Sequence, residues 1–152
     1  MYLQTIGHAS ILIRDTNHCP ILLTDPWLVG STYWRSWWIQ NYPNKNLRDE
    51  LQKVPTIYIT HEHPDHFHMP SIKTLGKTPQ YFFPDLPETG FISYLRSRDF
   101  QANVIKPREW KFIHSSVAIL SLPVLIDDSI LLIETPTSFI ANFNDVKASV
   151  RL

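Results

Sequence analysis

The sequence has 152 residues, of which 43% are hydrophobic, so it is long enough for one domain with a hydrophobic core and too short for two. Its 14 basic and 14 acidic residues balance, which excludes a net field that would attract nucleic acid or an anionic membrane. Its single cysteine, Cys19, excludes an intramolecular disulfide and a cysteine-rich metal site. Without a signal-peptide pattern or an apolar run of about 20 residues, we expect a soluble, cytoplasmic protein that acts on a small molecule.

The first part of the chain predicts a β-meander, a short helix and a buried strand. Turn residues separate three strand-forming runs, and we expect these strands over residues 2–6, 10–14 and 20–24. Leu47 and Leu51 lie four positions apart among charged residues, which is typical of a short amphipathic helix over 46–53. The apolar run that follows predicts a buried strand over 55–60.

The remaining chain predicts strands alternating with helices, and then strands alone. Pro70 and Gly76 delimit a helix over 70–75, and another helix is expected over 88–98. The remaining strands are expected at 81–83, 104–106, 110–113, 117–120, 129–134 and 139–143. This order indicates a layered α/β fold with a mixed sheet, in which ligands collect at the carboxyl ends of strands.

A cluster of metal-binding residue types directly follows the predicted buried strand. Side chains two positions apart at a strand end project the same way, so His61 and His63 can hold one ion. Asp65 and His66 lie just beyond, where the chain turns toward a helix. Imidazole and carboxylate ligands suit zinc first, and also iron or manganese. The alternative is a histidine-rich surface loop, and we assign His68 to the surface.

The run His61-x-His63-x-Asp65-His66 resembles the signature motif of the metallo-β-lactamase superfamily. Three further segments resemble motifs of that superfamily, in the same order: Gly7-His8-Ala9-Ser10, Thr24-Asp25-Pro26-Trp27 and Asn142-Phe143-Asn144-Asp145. Residues 25–30, 36–38 and 59–66 are most similar to the branch that contains the metal domain of CMP-N-acetylneuraminate hydroxylase and related bacterial metallohydrolase-like proteins. The resemblance covers nearly the whole chain.

This resemblance implies an αββα-type fold, of which residues 1–152 would form a single domain containing the first αβ half. It implies two zinc sites, with these ligands: His61 and His63 for the first metal, Asp65 and His66 for the second, and Asp145 bridging both. Asp65 would also be catalytic. Asp25 would orient the histidine loop through hydrogen bonds, or else only begin a turn before proline. His8 would border the site or cap a turn.

Three features depart from the superfamily pattern. A third histidine ligand is implied shortly before the strand that leads to Asp145, but residues 122–129 contain none. Asp127 or Asp128 could replace it, although acidic residues before a strand more often form turns, and His114 is assigned to the surface. A second αβ half is implied beyond residue 152, so we expect a C-terminally truncated domain or a half completed by another chain, as in a homodimer. One cysteine cannot build a Rieske cluster, so hydroxylation is not implied.

Aromatic residues crowd the segment after the first strands: Trp27, Tyr33, Trp34, Trp37, Trp38 and Tyr42. The simpler interpretation is packing in the core or against the expected second half. The alternative is a wall of the site on which a sugar or nucleotide ring stacks. Arg35, within this segment, is assigned to the solvated surface in preference to an anion-binding role.

Two functional hypotheses follow. In the first, metal-bound hydroxide attacks an ester, amide, lactone or phosphodiester, because a bound metal lowers the pKa of water and polarises the electrophile. In the second, the chain is a catalytically incomplete domain that acts through a partner chain. A metal-dependent oxidoreductase of the hydroxylase-like branch is a further alternative, since the predicted ligands also accept iron.

Overall fold

Two main β-sheets and three helices make up the computed structural model, which describes residues 1–87, 90–124 and 128–146. In chain order the strands are β1 (Tyr2–Gly7), β2 (Ser10–Arg14), β3 (Pro20–Thr24), β4 (Ser31–Thr32), β5 (Trp37–Trp38), β6 (Thr56–Tyr58), β7 (Gln80–Pro84), β8 (Gln101–Ile105), β9 (Lys111–His114), β10 (Val117–Val124), β11 (Asp128–Glu134) and β12 (Phe139–Asn142). The helices are α1 (Lys45–Leu51), α2 (Met69–Leu75) and α3 (Gly90–Arg96).

The first sheet has six strands in the order β1-β2-β3-β6-β7-β8. Strands β1, β2 and β3 are antiparallel, whereas β3, β6, β7 and β8 are parallel, so the sheet is mixed as predicted. The second sheet is antiparallel, in the order β12-β11-β10-β9. The predicted mixed α/β fold is therefore confirmed.

The central strands of the first sheet are buried on both faces, because their alternate side chains enter two different cores. Leu23 and Ile57 pack toward the helices, in a cluster that includes Leu51 and Ile72. Their chain neighbours on the other face pack against the second sheet, in a cluster of residues such as Leu22, Tyr58, Ile119 and Leu131. Full burial of one such aliphatic side chain contributes about 1.5–3 kcal/mol. These two cores fix the layers as helices, first sheet and second sheet.

The parallel register brings the ends of β3 and β6 side by side. Thr24 pairs with Tyr58, so Asp25 and the residues after Tyr58 emerge at the same edge of the sheet. The amide of Asp25 donates to the carbonyl of Tyr58 at 2.9 Å. This edge carries the histidine run, as the position of ligand sites at the carboxyl ends of parallel strands predicts.

Helix α2 follows the histidine run and has recognisable signals at both ends. Pro70 lies in its first turn, and the helix ends at Gly76, whose φ of 86° is in the left-handed region that glycine tolerates. His68 caps the amino-terminal end, its side chain accepting from the amide of Ser71. The surface assignment of His68 is therefore wrong: only 4% of it is exposed, because the cap buries the ring.

A short hairpin between β3 and α1 was not predicted from the sequence. Strands β4 and β5 pair with each other and are joined by a single 3-10 turn at Tyr33–Arg35. All three residues of this turn have positive φ, of 46°, 53° and 69°, although none is glycine.

The helix predicted over 88–98 is described from Gly90 to Arg96, and residues 88 and 89 lie outside the described part of the chain.

Over the part of the chain that the structure describes, the second sheet is fully packed on one face and half-buried on the other. Its inward side chains enter the core between the sheets, whereas Leu122, Ile130 and Leu132 on the other face are half-buried and Phe139 is 61% exposed. Among the described residues, no helix has the length and apolar composition needed to cross a membrane.

Candidate metal centre

Asp25 links the carboxyl ends of β3 and β6 beneath the histidine run. Its carboxylate accepts two hydrogen bonds from Thr60, at 2.8 Å from the amide and 2.9 Å from the hydroxyl. Both residues are fully buried. Because a buried carboxylate needs such partners, these bonds fix the start of the loop that carries His61. Asp25 Oδ2 also lies 3.4 Å from His66 Nδ1, so the same carboxylate contacts both ends of the run.

A first group of candidate ligands consists of His61, His63 and Asp145. His61 Nε2 lies 2.7 Å from His63 Nδ1 and 4.0 Å from Asp145 Oδ2. His61 is buried, whereas His63 is exposed and the Asp145 side chain is 57% exposed. The group therefore has a buried inner side and an open outer side from which a small molecule can approach.

A second group consists of His8, Asp65 and His66. Asp65 Oδ2 lies 2.7 Å from His8 Nε2 and 3.4 Å from His66 Nε2. The His66 side chain is completely buried, whereas 33% of the His8 side chain is exposed. His8 thus lies beside Asp65 as well as in the β1–β2 turn.

Asp145 lies between the two groups. Its Oδ2 is 3.6 Å from His66 Nε2 in addition to 4.0 Å from His61 Nε2. The rings of His61 and His66 are themselves only 4.2 Å apart between centroids. The two groups are consequently parts of one centre, assembled from the β1–β2 turn, the loop after β6 and the loop after β12.

The electrostatics favour the ligand forms of these side chains. Burial, together with neighbouring His66, lowers the pKa of His61 and so favours the neutral ring, whose free lone pair a metal needs. Burial alone would raise the pKa of Asp65, but hydrogen bonds with Tyr33 and His8 and the nearby His66 ring bring it below its usual value. Asp65 is therefore held as a carboxylate.

The surroundings of the His66 ring indicate that a cation fits at this centre. Burial lowers its pKa, but the carboxylates of Asp25, Asp65 and Asp145 outweigh burial and raise it. Neither ring nitrogen has a hydrogen-bond partner among the described residues. An unpartnered buried nitrogen is costly, and surrounding carboxylates that stabilise a proton also stabilise a metal ion. Each group supplies three ligand atoms, the number that catalytic zinc sites take from the protein while keeping a position open.

Tyr33 contacts the site from the unpredicted hairpin. Its hydroxyl donates to Asp65 Oδ1 at 2.7 Å, on the carboxylate oxygen that His8 does not contact. Burial and the hydrogen bond to Asp65 raise the pKa of Tyr33 to about 12, so the phenol keeps its proton at neutral pH. The aromatic run contained this residue, but nothing in the run distinguished it from its neighbours.

Asp128 and Asn144 lie behind His61. Asp128 Oδ1 is 3.5 Å from His61 Nδ1, and Asn144 Nδ2 is 3.1 Å from both His61 Nδ1 and Asp128 Oδ1. Asp128 therefore faces the ring nitrogen of His61 that points away from His63, and it belongs to neither ligand group found among the described residues. Asp127, the other candidate replacement, lies outside the described residues. His114 is exposed, as expected.

The aromatic residues separate into one buried ring and several exposed rings. Trp27 is 3% exposed and packs edge-on against His8 at 5.3 Å between ring centroids. Trp34, Trp37 and Trp38 are 95%, 50% and 61% exposed. Arg35 is exposed, as expected. Core packing thus accounts for Trp27 but not for the hairpin tryptophans.

Comparisons with known proteins agree with this architecture. Residues 2–138 match the family described as a beta-lactamase superfamily domain. The cytidine monophosphate-N-acetylneuraminic acid hydroxylase of Asterias rubens is 39% identical over 67 residues, which are 44% of this chain. The match covers 10% of that relative, so the chain spans only a small part of its length.

Two solved structures share the fold. A possible metal-dependent hydrolase from Veillonella parvula has a TM-score of 0.71 at 17% identity, over 97% of this chain and 63% of that one. Zinc-bound PqqB from Methylobacterium extorquens has a TM-score of 0.54 at 15% identity, over 89% of this chain and 48% of that one. At these identities the likeness concerns the fold alone.

Proposed function

Because the chain belongs to the beta-lactamase superfamily domain family, we propose that it is a metal-dependent hydrolase that cleaves an ester, amide, lactone or phosphodiester bond. The observation that carries this proposal is the position of Asp145 Oδ2, within 4.0 Å of one candidate ligand group and 3.6 Å of the other. A carboxylate that belongs to the first group and also lies beside the second suits two neighbouring cations better than one.

We assign one metal to His61 and His63, a second to Asp65 and His66, and Asp145 to both, with His8 as a hydrogen-bond partner of Asp65. Zinc is the first choice for a site rich in imidazole, with iron and manganese as alternatives. When bound, these ions supply a lowered pKa for water and polarisation of the electrophile. The similarity in fold to a zinc-bound protein supports a metal cofactor.

Side chains of this chain would orient the ligand residues and connect them to solvent. Tyr33 and His8 hold the two oxygens of Asp65, which fixes the orientation of its carboxylate. His8 Nε2 lies 2.7 Å from Asp65 Oδ2, and the partly exposed His8 side chain would connect this carboxylate to solvent. Asp25 and Thr60 keep the loop between them in place.

Metal analysis of the purified chain tests the proposal. We expect zinc at about two ions per chain by mass spectrometry, with a marked loss in His61→Ala and His63→Ala and no loss in His114→Ala, which alters an exposed histidine outside both groups. The loaded protein should hydrolyse 4-nitrophenyl acetate, and His61→Ala should not. Metal-free wild-type protein after growth and refolding with zinc would contradict the proposal.

A second candidate function is metal-dependent oxidation. The observation in its favour is the 39% identity to a hydroxylase over 67 residues. The same imidazole and carboxylate ligands accept iron. Iron bound in preference to zinc, with oxygen consumption and without ester hydrolysis, would favour this candidate over the first.

A further inference from the structure

Two cavities share His8, which lies beside Asp65 of the candidate metal centre. The first, the Asp145 cavity, has a volume of about 400 Å3 and is lined by residues including His8, Asn144 and Asp145. The second, the Trp38 cavity, has a volume of about 490 Å3 and is lined by residues including Thr5, His8, Trp27, Trp38, Gln40 and Asn41. Thr5 and His8 line both cavities, so the Trp38 cavity is the neighbour of the Asp145 cavity.

The Trp38 cavity has a definite chemistry. Two indole rings, with Ile6 and Ile39, supply apolar surface, and the amides of Gln40 and Asn41 supply donors and acceptors. No lysine, arginine, aspartate or glutamate of the described residues lines it. A charged group placed there would lose hydration without gaining a lysine, arginine, aspartate or glutamate partner from the lining, whereas a neutral ring would gain contact with aromatic faces.

The wall made by Trp38 is held in place by the hairpin. The Trp38 indole nitrogen donates to the carbonyl of Arg35 at 2.9 Å, and the Tyr42 hydroxyl donates to the carbonyl of Gly30 at 3.1 Å. The first bond lies within the hairpin, and the second joins the residues that precede and follow it. The exposed ring of Trp38 is thus fixed at the cavity without help from a ligand.

Building on the proposed hydrolytic function, we propose that the substrate carries an uncharged, ring-sized arm that occupies the Trp38 cavity while the scissile bond lies in the Asp145 cavity. Any charge on the substrate is confined to the reacting group, where the metals would meet it. The cavity on the other side of Tyr33, which contains Arg35 and has a volume of about 500 Å3, includes neither His8 nor Asp145. An anionic arm would be directed there instead.

A matched pair of unreactive amides tests the arm. N-methylbenzamide and 4-carboxy-N-methylbenzamide share the ring and the amide, and differ only in a charge remote from the amide. In NMR titrations of the zinc-treated protein we expect the neutral amide to bind at least about tenfold more tightly. Equal or tighter binding of the carboxylate, or no binding of the neutral amide, overturns the proposal.

Two tryptophans of one hairpin provide matched variants. Trp38→Ala should weaken the binding of N-methylbenzamide at least about tenfold, whereas Trp38→Phe should retain most of the affinity. Trp34→Ala should change the affinity by less than about twofold. Trp38→Phe also lacks the bond to Arg35, so it separates the ring from that hydrogen bond. Equal effects of Trp38→Ala and Trp34→Ala overturn the proposal.

These measurements distinguish failure of the substrate proposal from failure of the proposed hydrolytic function. Loss of the neutral-arm preference with intact zinc binding and ester hydrolysis defeats the substrate proposal alone. Absence of zinc and of ester hydrolysis, with Trp38-dependent amide binding, defeats the hydrolytic function and leaves the cavity assignment standing.

Discussion

Asp25 accepts both the amide and the hydroxyl hydrogen of Thr60, and neither residue has any contact with solvent. The pair joins the ends of two parallel strands, β3 and β6, at the point where the candidate ligand loop begins. The strand pairing therefore extends through a side chain into the site, so the stability of the fold and the geometry of the site depend on the same carboxylate.

Asp25→Asn should destabilise the protein by about 3 kcal/mol. An asparagine retains one acceptor oxygen but turns an NH2 group toward donors, leaving one buried hydrogen bond unmade, and hydrogen bonds to charged groups are worth about 1.5–3 kcal/mol. Urea denaturation measures the change. Asp49→Asn, in an exposed position of α1, is the matched control and should change the free energy of unfolding by less than about 0.5 kcal/mol. Equal effects would mean that the Thr60 contacts contribute nothing.

Asp145→Asn should weaken the binding of both metal ions. Its Oδ2 lies at 4.0 Å from His61 and 3.6 Å from His66, so a neutral amide there removes negative charge from both groups. We expect the affinity for each ion to fall more than about tenfold. Mutation of a residue that only supports a metal ligand typically lowers metal affinity by about 10–100-fold. Competition with a zinc chelator measures both affinities.

His63→Ala is the informative comparison for Asp145→Asn, because His63 belongs to one group only. His63→Ala should weaken the binding of one ion and leave the affinity for the other nearly unchanged. Asp85→Asn, an exposed carboxylate outside the site, should affect neither. If Asp145→Asn weakens a single ion, Asp145 serves one group and does not bridge.

The sequence predicts the sheet and the placement of the histidine run because both depend on local signals. Burial of apolar strands, Pro70 and Gly76 at the ends of α2, and the position of His61 after a buried strand are all readable along the chain. The His68 cap was missed because serine, threonine, aspartate and asparagine are the usual residues at that position.

The contacts of Asp65 could not be predicted from the sequence. Its partners His8 and Tyr33 lie 57 and 32 positions away in the chain. Tyr33 reaches Asp65 from a turn of three residues with positive φ, a conformation that non-glycine residues seldom adopt and that no local preference indicates. Such contacts depend on how separate segments pack, not on the composition of either one.

Tyr33→Phe should shift the acid limit of metal binding upward in pH. The Tyr33 hydrogen bond contributes to holding the pKa of Asp65 below its usual value, so its removal raises that pKa. Protonated Asp65 is a poor ligand, and zinc should leave the variant at higher pH than the wild type. Zinc occupancy measured from pH 7 down to pH 4 tests this.

The same variant should change the stability of the metal-free protein with pH. A carboxylate whose pKa is lowered by folding stabilises the fold above its unfolded pKa, and this contribution disappears as pH falls through the folded pKa. Tyr33→Phe should reduce the contribution at neutral pH and leave little difference in acid. A stability difference that is constant with pH would mean that the Tyr33 hydroxyl does not act through the ionisation of Asp65.

Tyr58→Phe tests the link between the two sheets. The buried Tyr58 hydroxyl lies 2.8 Å from Ser121 Oγ and 3.0 Å from Ser129 Oγ, both on the second sheet. Its loss leaves buried serine hydroxyls with fewer partners and should cost about 1–3 kcal/mol in urea denaturation. Tyr94→Phe, which removes a hydroxyl from a partly exposed ring, should cost less than about 0.5 kcal/mol.

This substitution also bears on the metal centre. Ser129 donates to the carbonyl of Thr60, next to His61, so the Tyr58 hydroxyl supports the ligand loop from below. Because Ser129 keeps that bond in Tyr58→Phe, zinc affinity should fall less than in Asp25→Asn, which acts on Thr60 directly. A larger loss of zinc in Tyr58→Phe than in Asp25→Asn would reverse that order and make the packing between the sheets, not the Asp25–Thr60 pair, the principal support of the loop.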